Sequence, residues 1–122
     1  MKPITIGLTI LSFLFISNQL FSQFIAIQND DKVEVRNLNG AYLTSGYYSG
    51  LKDIAQGDNF IVLWYRTDKI EIRGSDLKFL TSAYYSNLKK IGTTQDYVVL
   101  YYENGKIEVR NKDLRYQSSW YH

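Results

Sequence analysis

The chain contains no cysteine. Disulfide staples, thiolate metal sites and thiol nucleophiles are therefore excluded, and so is a lipid-modified N-terminal cysteine. Its one proline is Pro3, so no later strand is interrupted by a missing backbone donor. Its one histidine is His122, the last residue of the sequence. No Ser-His-Asp set can be assembled around it. EF-hand, zinc and phosphate-loop spacings are absent as well. The expectation is a protein that is not an enzyme, with no catalytic residue, no cofactor and no metal. Charge of one sign is also lacking: 14 basic and 12 acidic residues leave a net charge of +2. They are interspersed along the chain, which excludes the clustered basic face that a nucleic acid would call for.

Long apolar runs are scarce, and one stands out. After Met1-Lys2-Pro3, residues 4–16 are nearly all apolar, and Ser17-Asn18-Gln19 follows. A basic start, a short apolar stretch and a polar exit make the layout of a secretory signal peptide. The run is shorter than the roughly 18 apolar residues of a membrane span. Cleavage after Ser22 is expected. That makes 1–22 a signal peptide and 23–122 the mature domain, which is then extracytoplasmic (periplasmic or secreted) and without a membrane span.

What the sequence has in abundance is itself. Lys32-Val33-Glu34-Val35-Arg36 returns as Lys69-Ile70-Glu71-Ile72-Arg73 and as Lys106-Ile107-Glu108-Val109-Arg110. The period is 37 residues, from 73 − 36 and again from 110 − 73. A fixed period of this length marks one supersecondary unit used repeatedly and stacked to share a core. The copies run over about 24–59, 60–96 and 97–122.

Each unit reads as strands. Phe60 to Tyr65 is β-branched and aromatic on both faces, so burial on both sides is expected. Ile70 to Arg73 alternates, apolar one way and charged the other. Turns fall at Arg66-Thr67-Asp68-Lys69, at Gly74-Ser75-Asp76 and at Ser86-Asn87. Asn104-Gly105 carries the signal of a type I′ hairpin turn. Further strands are expected over Leu77–Tyr84 and Leu88–Thr93. Counting them gives three strands in copy one and four in each of the others. No helix is expected after residue 24.

Copy three shows the order most fully: Leu88 to Ile91, Tyr97 to Tyr102, the Glu103-Asn104-Gly105-Lys106 turn, Ile107 to Arg110, then Leu114 to Tyr121. This order resembles the blade repeats of WD-type β-propellers, in which a glycine turn leads into an alternating third strand. The resemblance implies four-stranded antiparallel units around a channel. The Trp-Asp pair of such blades is absent, with Arg36-Asn37, Arg73-Gly74 and Arg110-Asn111 in its place. Fewer than three blades are present, where rings typically need about 4–8. The fold class expected is thus all-β, a partial β-propeller-like array that is an open arc, is completed by other chains, or belongs to a longer propeller.

Among candidate binding residues, the aromatic pairs Tyr47/Tyr48, Tyr84/Tyr85 and Trp120/Tyr121 recur near the end of the third strand. Neighbours on a strand point to opposite faces, so one of each pair is free to meet a ligand. The Glu-x-Arg pairs read as a solvated charged ladder with cross-strand contributions of roughly 0.2–1 kcal/mol each. The apolar strands of the end copies carry no polar substitutes that would cap them. The function expected is a secreted, non-catalytic interaction module. Its partner is another protein or a second copy, most simply as a dimer approximating a six-bladed ring. The alternative is a carbohydrate-binding module that uses the aromatic ladder to hold a glycan.

Overall fold

A computed structural model describes residues 23–122. The export signal expected at 1–22 lies outside the described residues. Eleven strands and no helix make up the described chain. They run β1 Phe24–Asn29, β2 Lys32–Asn37, β3 Tyr42–Tyr47, β4 Leu51–Gln56, β5 Phe60–Tyr65, β6 Lys69–Gly74, β7 Phe79–Tyr84, β8 Leu88–Thr94, β9 Tyr97–Tyr102, β10 Lys106–Asn111 and β11 Tyr116–Tyr121.

Three antiparallel sheets form, each from strands consecutive in sequence: β1-β2-β3, β4-β5-β6-β7 and β8-β9-β10-β11. The all-β array of repeated four-stranded units expected from the sequence is what the chain builds. β4 and β8 close the first and second sequence copies, yet each joins the sheet of the copy that follows. Links of three residues, Tyr48–Gly50 and Tyr85–Asn87, carry the chain from one sheet to the next.

The sheets stack face to face, and two apolar clusters fill the gaps between them. Phe24, Val33 and Val35 of the first sheet pack on Leu51, Ile61, Leu63, Tyr65 and Leu77 of the second. The far face of the second sheet, with Phe60, Val62, Trp64, Ile70 and Ile72, packs on Leu88, Val98, Leu100 and Leu114 of the third. β5 is consequently buried at every residue, as its two-faced apolar sequence requires.

The turns depart from the expectation in detail. The loop Glu103–Gly105 has three residues, and only Gly105 is left-handed, with φ of +89°. Asp68 takes the same place in the loop before β6, with φ of +74°. A three-residue hairpin loop ending in a left-handed residue matches the strand twist; the two-residue type I′ turn read from Asn104-Gly105 does not form. The second surprise is at Leu77 and Leu114, which take φ of +68° and +65° where the first copy has Gly40 at +85°. Leu77 therefore stands outside its expected strand, which starts at Phe79.

Candidate functional site

In the second and third copies the charged pairs of the repeat are not a solvated ladder. Glu71 and Glu108 are each only 4% exposed. In the second sheet the Tyr65 hydroxyl donates to Glu71 Oε1 at 2.6 Å, and Arg73 Nε donates to the same oxygen at 3.0 Å. Lys69 Nζ lies 3.6 Å from the other carboxylate oxygen. In the third sheet Tyr102, Arg110 and Lys106 hold Glu108 at 2.9, 3.1 and 3.4 Å. In both sheets the face that alternation marks as polar is the one that meets the preceding sheet. Burial pushes the Glu71 carboxyl up, but the hydroxyl, the guanidinium and the ammonium outweigh it and hold the group below its ordinary value. Glu108 behaves alike. The Tyr65 and Tyr102 hydroxyls are pushed well up, first by burial and then by the carboxylate each one faces.

Arg73 and Arg110 also clamp the preceding sheet. The Arg73 guanidinium lies 4.8 Å from the Tyr48 ring centre, and that of Arg110 lies 5.0 Å from Tyr85. Tyr48 and Tyr85 sit in the links, so the stack ties one sheet to the next. The first copy has Asn29 where the others have Tyr65 and Tyr102. Glu34 there pairs with Arg36 alone at 3.0 Å, and its side chain is 24% exposed against 5% for Glu71.

The six aromatic candidates divide accordingly. Tyr48 packs on the first cluster and Tyr85 on the second. Tyr47 and Tyr84, at the ends of β3 and β7, are 76% and 68% exposed. Tyr121 occupies the same repeat position on β11 and is exposed with them. Trp120 stands at the place of Gly46 and Ala83, and it too is exposed. His122 falls on the slot of Tyr48 and Tyr85. Sequence reading missed a further exposed row on the outer strands, Tyr42, Phe79 and Tyr116. Their shared spacing of 37 was the available signal.

The two ends of the stack carry the larger surfaces. On the first sheet Ile25 and Ile27 are each 43% exposed, flanked by Glu34 and Arg36. On the third sheet Val99, Tyr101, Ile107 and Val109 are partly exposed, whereas Val62, Trp64, Ile70 and Ile72 at the same repeat positions are buried. A cleft of about 340 Å³ opens on that face between Lys89, Lys90, Tyr101, Lys106 and His122. Among the described residues no group of acidic, histidine or cysteine side chains could hold a metal ion.

No protein-family model and no curated protein matches the chain. The stacked four-stranded sheets are those of β-propeller blades, and solved propellers superpose on them. Hsv2 of Kluyveromyces lactis matches with a TM-score of 0.62 at 9% identity, over 84% of this chain and 34% of its own. Sqt1 of Saccharomyces cerevisiae matches with 0.61 at 16% identity, over 81% and 31%. The WD40 domain of Neurospora crassa Pan2 matches with 0.57 at 11% identity, over 83% and 36%. The likeness is one of fold, and the chain spans about a third of the length of these propellers.

Proposed function

We propose that the chain is a secreted, non-catalytic docking module that binds protein through the open faces of its end sheets, with a second copy of itself as the simplest partner. One observation carries this reading. The two end faces are the two halves of the interface that already joins its own sheets. Ile25 and Ile27 stand at the repeat positions of Ile61 and Leu63, and of Val98 and Leu100, which are fully buried against a neighbouring sheet. Val99, Tyr101, Ile107 and Val109 stand where Val62, Trp64, Ile70 and Ile72 receive those residues. Placed head to tail, the first sheet of one copy packs on the third sheet of another by a contact the molecule makes twice internally. Two copies supply six sheets, within the range of about 4–8 that closes a ring. The apolar run at 4–16 supports export, and the lack of a nucleophile–base pair or metal cluster in the repeat supports a binding role.

Sedimentation velocity at micromolar concentration tests the reading. The wild type is expected at twice the chain mass. Ile25→Glu and Ile107→Glu are each expected to be monomeric with an unchanged β-sheet spectrum. A folded wild-type monomer overturns self-docking. A second reading, a glycan-binding surface, is favoured by the exposed row of Tyr47, Tyr84 and Tyr121. It predicts glycan-array binding that Tyr84→Ala weakens.

A further inference from the structure

The first sheet has three strands among the described residues, and the others have four. The missing position is the innermost one, held by β4 and β8 in the complete sheets. It lies beside β1, on the side away from β2. Backbone groups alternate in direction along a strand, so Phe24, Ala26 and Gln28 aim theirs at this free edge.

Gln56, the last residue of β4, reaches across to that edge. Its Oε1 accepts from the Ala26 N–H at 2.9 Å, and its Nε2 donates to the Phe24 carbonyl at 2.5 Å. A side-chain carboxamide carries both an acceptor and donors, as the backbone does. Here it takes up the Ala26 N–H and the Phe24 carbonyl, the donor and the acceptor on either side of Ile25 that an added strand would otherwise pair. The third sheet shows what happens when an inner strand is present. Thr93 stands 37 residues after Gln56, and its hydroxyl donates to the Gln56 carbonyl, on the inner strand of the sheet before it. This position touches the preceding inner strand where one exists. Beside β1, where the described residues place none, the longer glutamine reaches across and bonds to β1.

We propose that β1 captures an extended strand from a second polypeptide bearing this repeat, and that Gln56 is the latch which that strand displaces. The molecule displays the chemistry of the occupant twice. β4 and β8 share the order Leu-Lys-x-Ile-small-polar, over Leu51–Gln56 and Leu88–Thr94. Their leucines are buried, and β4 pairs Leu51 with Tyr65, Ile54 with Leu63 and Gln56 with Ile61. Carried over by the repeat, an incoming leucine faces Asn29, the isoleucine faces Ile27 and the last residue faces Ile25. Until then the amide blunts an edge that would otherwise template uncontrolled pairing. The site is a ladder edge, separate from the open faces of the previous reading.

The test uses a fluorescein-labelled peptide with the sequence of residues 88–94, read by anisotropy on the purified protein. Saturable binding to wild type is expected, with none for the same residues in scrambled order. Gln56→Ala removes both latch bonds and is expected to bind about tenfold tighter, since two hydrogen bonds no longer have to be displaced. Gln56→Glu keeps the length but cannot donate to the Phe24 carbonyl, and it too is expected to bind tighter than wild type. Hydrogen exchange should slow at the Ala26 and Gln28 amides when the peptide is added. No binding to any of the three proteins, equal affinity for all three, or protection appearing on β3 or β11 instead overturns the proposal. Self-association through the faces is read by mass and peptide capture by anisotropy, so either idea can fail alone.

Discussion

Arg73 donates a hydrogen bond to the carbonyl of Leu77 at 2.7 Å, while Leu77 holds a left-handed backbone with φ of +68°. Arg110 and Leu114 repeat the relationship at 2.8 Å and +65°. A left-handed conformation costs a side-chain-bearing residue about 1–2 kcal/mol. Leu77 adopts it because its side chain then enters the cluster between the first two sheets, and the guanidinium holds its carbonyl. In the first copy the same turn faces no preceding sheet among the described residues. Gly40 serves there, unstrained, with Arg36 on its carbonyl at 2.6 Å.

Leu77→Gly separates strain from packing. Removing a buried leucine side chain costs about 2–5 kcal/mol, and relief of the backbone returns about 1–2 kcal/mol. A net loss of about 1–3 kcal/mol is expected in urea unfolding. A variant as stable as wild type would show that the turn, not the side chain, holds this corner.

Arg73→Lys should cost more than Arg36→Lys. Lysine cannot hold Glu71, the Leu77 carbonyl and the Tyr48 ring at once, because its donors lack the planar fork. A loss of about 1–3 kcal/mol is expected for Arg73. Arg36 is more exposed and has only Glu34 and the Gly40 carbonyl, so its replacement should be close to neutral. Equal losses in paired denaturation curves would refute the sheet-clamping role.

Stability should fall toward both acid and alkali. Glu71 and Glu108 have folded values below the ordinary 4.5. Their stabilisation is full above 4.5 and is lost as pH drops from there through the folded value. Tyr65 and Tyr102 have folded values above 10. Theirs is full below 10 and is lost as pH climbs toward the folded value. Unfolding midpoints measured across pH should show both limbs, and Glu71→Gln should flatten the acid one. An unaltered acid limb in that variant would assign the effect elsewhere.

Export predicts a mature N-terminus at Gln23. Sequencing of the processed protein checks it. Recovery of intact 1–16 in a cytoplasmic fraction would contradict the signal reading.

The repeat made most of the fold legible. Its period placed the strands within a residue or two, and the apolar run Phe60–Tyr65 announced burial on two sides. The environment of Glu71 and Arg73 was not legible. Alternation separates the two faces of a strand but cannot say whether the second face meets water or another sheet. The left-handed Leu77 gave no turn signal, since only its packing justifies the conformation. At the candidate site the adjacency of Tyr47 and Tyr48 showed that they diverge, but not which one goes inside. The reach of Gln56 depends on a strand position beside β1 that the described residues leave open, which a residue's own neighbours cannot reveal.

Every ladder of backbone hydrogen bonds runs within a single sheet. Between sheets there are mainly apolar clusters, the arginine stacks and short links. The middle sheet borders both clusters and each outer sheet borders one. An outer sheet can therefore loosen without breaking its neighbour's ladders, while the middle one opens only after losing a flank. Warming such a stack peels it from the outside inward, and β5 is the last strand to meet water.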